Sequence, residues 1–163
     1  MFELHFAATL FMTGVIWVIQ VVHYPLFGGV GEAGYGAYQA AHMSRITWVV
    51  LPAMLVELAT GLWLWGRANG YVGAAPFGQT GAMDLAAGVP GSATAWWWLT
   101  GALGAIWLST ALLQVPAHAQ LARAFDGEAH RRLVDTNWIR TILWSARAAG
   151  LLCLAWGGAD GRS

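Results

Sequence analysis

The chain has 163 residues and no net charge at pH 7; 58% of it is hydrophobic and only 10% charged. Soluble domains carry about 25% charged residues, so this composition excludes an ordinary soluble fold. A neutral chain without a basic run also offers nothing to nucleic acid. Every cation is Arg, and the single Cys153 sits inside an apolar stretch, which leaves no disulfide framework and no zinc-type Cys spacing.

The first apolar run covers about residues 4–27. It starts "MFELHF", with no basic leader before it and no small-residue cleavage site after it, and is expected to be a retained first span. It ends "IQVVHYPLF", placing Gln20, His23, Tyr24 and Pro25 together. Residues 29–34 then match GxGxxG. The match follows a helix rather than a strand, so a dinucleotide site is excluded by context. The second run, about residues 45–66, is preceded by His42, opens with Arg45 and carries Glu57 midway. A Gly-, Ala- and Pro-rich connection over residues 67–94 is long for a helix–helix link and is read as a tether, with a lid as the alternative. The third run, about residues 95–115, ends "LLQVPAHAQL", bringing Gln114, Pro116 and His118. The charged segment 126–135 is expected to form a short surface helix. The fourth run, about residues 138–157, follows Asn137 and carries Arg140 and Arg147. His5 and His130 are expected at the surface.

About 20 apolar residues cross a bilayer, and in lipid each span must satisfy its own backbone as a helix. The expectation is therefore one all-α domain over residues 1–163, a polytopic membrane protein with a four-transmembrane-helix bundle. Gln20 and Gln114, and His42 and Asn137, recur at nearly the same interval, which suggests two similar hairpins as an internal repeat. Trp63, Trp65 and the triplet Trp96, Trp97 and Trp98 are expected at one interface, with Trp48 and Trp138 at the other. Arg45, Arg123, Arg131, Arg132 and Arg140 lie on the side of the two short connections, against Arg67 and Arg162 opposite. The positive-inside rule then places both termini outside the cytoplasm, in what is expected to be a bacterial inner membrane.

Candidate chemistry gathers at one end of the helices. His23, His42, His118, Arg45, Arg140 and Asn137 are the candidate catalytic residues; Gln20, Gln114 and Tyr24 are the candidate cofactor contacts. Bundle sites are built from inward side chains on facing helices. The three histidines are the right type to ligate a transition metal, and two could hold a haem. Without any cofactor, a His can deprotonate a phenol or quinol while Arg45 or Arg140 stabilises the anion. Polar residues at helix ends also commonly cap helices, and Arg also reaches headgroups. Deeper in the bilayer, Glu57 and Arg147 lie about 18 Å and about 10 Å from the level of Arg45 and Arg140. Charges at such depth are expensive unless paired, so a Glu57–Arg147 pair is expected.

The stretches "QVPAHAQLA" and "NWIRTILWSAR" resemble the second half of the anthrone oxygenase-like family of small four-helix membrane proteins. Val115, Pro116, Leu121, Ala122, Asn137, Arg140 and Thr141 carry the likeness. His118 stands near where that family usually has Asn. The resemblance implies oxidation of a lipophilic polycyclic phenol or quinol. A more distant likeness is to small four-helix protoporphyrinogen oxidases, on His5 and Pro25; that family uses a membrane lysine, which this chain lacks. The expected partners are the bilayer and a lipophilic small molecule, with a second copy or a membrane complex also open. The competing expectation is a non-enzymatic carrier or an accessory subunit of such a complex.

Overall fold

The computed structural model describes residues 1–72 and 89–157. The tether or lid expected over residues 67–94 falls largely on the undescribed stretch, as does Gln79 within it; Arg162 lies beyond the last described residue. All regular structure among the described residues is helical, in four helices: α1 (Phe2–Phe27), α2 (Glu32–Ala68), α3 (Ala93–Leu121) and α4 (Gly127–Gly157). The first three have the length and apolar composition to cross a membrane. The fourth, 31 residues long, dilutes its apolar face with charges.

α1 packs along α2 and α4, and α3 packs along the same two helices. The four therefore form a ring in which α1 faces α3, and α2 faces α4, across the centre. Short links fix the alternation. The α1–α2 link turns through Gly31, whose φ of 79° favours glycine. Between α3 and α4, Asp126 Oδ1 accepts from the backbone N–H groups of Glu128 at 2.9 Å and Ala129 at 3.1 Å, an N-cap that starts α4. The amides of Ala129 and Glu128 hold this carboxyl below the usual carboxylate range. The end with these two links is called the hairpin end below, and the opposite one the terminal end.

Two helices start earlier than hydropathy suggests. α2 begins at Glu32 because Tyr35 and Gln39, one turn apart, are buried before the apolar run starts. α4 likewise begins at Gly127, with Ala129, Leu133 and Asn137 buried at the same spacing. The expected short surface helix over residues 126–135 is thus the first turns of α4. At about 1.5 Å per residue, the 37 residues of α2 run about 55 Å, well beyond the hydrocarbon core.

α1 and α3 share one local device. A π-helical turn, Ile19–His23 in α1 and Thr110–Gln114 in α3, precedes a proline at the second position of the next helical segment. Proline lacks an N–H and its ring crowds the preceding turn, and a wider turn accommodates both. The main apolar core, including Met12, Ile16, Phe27, Ile106, Leu121 and Trp144, fills the bundle. A smaller cluster of Leu64, Trp96, Leu99 and Leu151 closes the terminal end. Trp96 is therefore not an interface residue as expected: it is fully buried, and its Nε1–H donates to Pro90 O at 2.9 Å. Trp48 and Trp98, 81% and 78% exposed, do stand outward.

Candidate functional site

Two polar layers cross the bundle. The layer toward the terminal end is closed. Arg147 and Glu57 pair at 3.0 Å, both fully or almost fully buried. The same carboxylate accepts from Thr9 Oγ1 at 2.7 Å and from Trp144 Nε1 at 3.0 Å. Arg147 also donates to the Leu99 carbonyl and to His5 Nε2. Arginine only donates, so His5 Nε2 accepts and His5 Nδ1–H donates to Thr60 Oγ1 at 2.9 Å; the Thr60 hydroxyl in turn donates a hydrogen bond to Val56 O. The expected Glu57–Arg147 pair is present. His5 is not at the surface: it is completely buried, because this layer needs an acceptor for the last guanidinium donor.

The layer toward the hairpin end brings together most of the sequence candidates. His23 Nε2 and His42 Nδ1 share a hydrogen bond of 2.9 Å. His42 and His118 lie with ring centroids 5.8 Å apart. Gln39 Nε2 donates to His118 Nδ1 at 2.5 Å, which leaves His118 Nε2–H to donate to Tyr24 Oη at 2.9 Å. A cleft of about 140 Å³ opens here, with Tyr24, His42, Gln114, His118 and Arg140 on its polar side and Ile19, Met43, Ile46 and Val50 on its apolar side. Arg140 enters from α4, with Nη1 near Thr110 Oγ1 at 3.4 Å and its guanidinium over the Trp144 ring at 5.6 Å.

The remaining candidates do other work. Asn137 Nδ2 donates to Gln20 Oε1 at 2.7 Å, and Gln20 Nε2 donates to Val134 O at 3.2 Å. This pair ties α1 to α4 and does not line the cleft. A spacing of three in an α-helix would put Gln20 and His23 on one face, but the π turn between them is wider than an α turn, so Gln20 meets α4 and His23 meets α2. Arg45 is exposed and outside the cleft, so only Arg140 is placed to meet an anion there. His130 is half-buried rather than at the surface, and donates from Nε2 to Tyr24 O at 2.9 Å. Gln39 was not foreseen; the early start of α2 is what carries it to His118. Among the described residues no group of three or more His, Cys, Asp and Glu side chains is arranged to hold a metal ion.

The two layers differ in how fully their atoms are engaged. Every polar side chain of the Glu57 layer has a partner, whereas Arg140 Nε, Gln114 Oε1 and Gln39 Oε1 are buried without one among the described residues. Buried polar atoms are ordinarily hydrogen-bonded, so the hairpin-end layer has the capacity to take a polar ligand. Comparison with protein-family models, with curated proteins and with solved structures finds no match for this chain.

Proposed function

We propose that the protein is a membrane oxidoreductase that takes a lipophilic phenol or quinol, ring first, into the hairpin-end cleft. The observation that carries this reading is the convergence of an imidazole, a phenol and a guanidinium with unengaged buried polar atoms. A benzene-sized ring fits a cavity of about 150 Å³. The cleft volume therefore favours a single ring over the polycyclic substrate that the family resemblance implies.

In this reading His42 is the base. Its Nδ1–H donates to His23 Nε2, which leaves Nε2 free to accept the hydroxyl proton of the ring. His23 fixes that tautomer, Arg140 faces the phenolate that forms, and Tyr24, held by His118 and Gln39, offers its O–H to the second ring oxygen. Positioned donors stabilise charge most effectively where water is scarce. A quinol gives up two electrons and two protons; dioxygen accepts both, yielding the quinone and hydrogen peroxide.

The test is oxygen consumption by purified protein with a short-chain benzoquinol. His42→Ala is expected to lower turnover about 10²-fold, and Arg140→Leu to slow it strongly without unfolding the protein. Turnover unchanged in both variants would overturn the assignment. Protein without turnover that co-purifies with a fixed partner would favour the accessory-subunit alternative.

The hairpin end is further assigned to the cytoplasmic side of a bacterial inner membrane, which leaves both termini outside. Arg123, Arg131 and Arg132 at that end support it against Arg67 at the other. Single cysteines replacing Arg123 or Asn69 in a Cys153→Ser background test it: an impermeant thiol reagent applied to whole cells should modify the second and spare the first.

A further inference from the structure

A second depression adjoins the cleft. It is an apolar groove of about 470 Å³ on the lipid-facing side of α1 and α2, lined by Leu10, Phe11, Gly14, Val18, Ile46 and, at its hairpin end, His23. Among the described residues that line it His23 is the only polar one, and Ile19 and Ile46 line both groove and cleft. From Leu10 to His23 the groove follows α1 for about 20 Å, along the direction of lipid chains. Gly14 gives it depth, since a Cβ added there would meet nothing within 4 Å.

A comparison within the same molecule shows what distinguishes this groove. A similar apolar depression of about 350 Å³ lies between α3 and α4, floored by Leu99, Ala146, Gly150 and Arg147. Arg147 is already engaged by Glu57, His5 and the Leu99 carbonyl. That depression leads to a closed layer, whereas the α1–α2 groove leads to the layer with unengaged atoms.

We propose that the α1–α2 groove is the seat of a single hydrocarbon tail attached to the ring in the cleft, so that the ligand is an alkyl- or prenyl-substituted quinol that enters sideways from the bilayer. The inference rests on the reading of the cleft as a phenol or quinol site and adds the tail, its path and its point of entry. A chain lying along α1 with its ring end at His23 sets the ring beside His42.

The experiment uses the full-length protein in lipid nanodiscs and two benzoquinones with the same ring, one bearing a ten-carbon chain and one bearing none. Binding is read by equilibrium dialysis against each variant. Because each ligand is compared between proteins, its partition into lipid cancels. Gly14→Leu puts a side chain into open groove space, and leucine suits a helix better than glycine; Val18→Trp obstructs the groove a second way. Both are expected to weaken the tailed compound at least tenfold and change the tailless one less than twofold. Ala146→Leu, in the other depression, should change neither. Tailed affinity within twofold of wild type in both groove variants overturns the inference, and the ring site survives if tailless binding still needs His42. If the tailless compound fails to bind wild type, or binds equally to His42→Ala, the ring site falls and the tail groove with it.

Discussion

Removing the Arg147 guanidinium would leave the Glu57 carboxylate deep in the bundle with only Thr9 and Trp144 to face it. A buried pair broken from one side costs about 3–5 kcal/mol, whereas replacing both partners with apolar groups costs far less. Arg147→Leu is therefore expected to lower the unfolding free energy in detergent by about that amount, and Glu57→Leu combined with Arg147→Leu to recover part of it. Equal stability of the single variant and wild type would show that the pair contributes nothing. This pair was legible in the sequence because an isolated charge at that depth has few alternatives to pairing. His5 was not legible: a histidine a few residues from the first methionine has the same sequence context at an interface as inside a core. Only the uncommitted Arg147 donor, invisible without the fold, requires it there.

At the scale of the helices, the π turns decide which side chains meet. Hydropathy cannot register one extra residue per turn, so the sequence pointed to His23, His42 and His118 at one end but not to Gln20 turning away from them toward α4. Deleting Val21 should restore an ordinary α turn and leave everything beyond it facing as before, because the five π residues sweep about the same angle as one fewer in an α turn. Tyr24 should then stay with His118. Circular dichroism should show unchanged helix content, with ring binding retained; lost binding would show that the extra residue itself is part of the site. The start of α4 depends on Asp126 in a simpler way. Its carboxyl has a lowered pKa in the folded state, so the cap stabilises fully above the usual carboxylate range and is lost as pH falls through the folded value. Asp126→Ala should thus destabilise at neutral pH, and the difference from wild type should shrink as pH falls below the usual carboxylate range. A difference that persists undiminished in strong acid would place the cap's contribution elsewhere than in the ionised carboxylate.

The bundle as a whole follows from composition. Leu10, Phe11, Val18, Leu112 and Ile142 are exposed on its outside, which suits lipid and would be a liability in water. The protein is expected to stay in the membrane fraction after an alkaline wash, and its release would contradict the reading of α1, α2 and α3 as spanning helices. The all-helical fold was legible because long apolar runs in lipid admit few other structures. The starts of α2 and α4 were not, since Tyr35, Gln39 and Leu133 lie in polar stretches where burial is set by a neighbouring helix and not by local hydropathy. The cross-bundle arrangement has one more consequence. Trp144 is hydrogen-bonded to Glu57 on one side and lies under Arg140 on the other. A protein tightly knotted near its termini and looser where the histidines meet should flex like forceps held at the closed end. The slowest amide hydrogen exchange is then expected around Thr9, Glu57 and Arg147, and the jaws should stiffen when something is gripped between them.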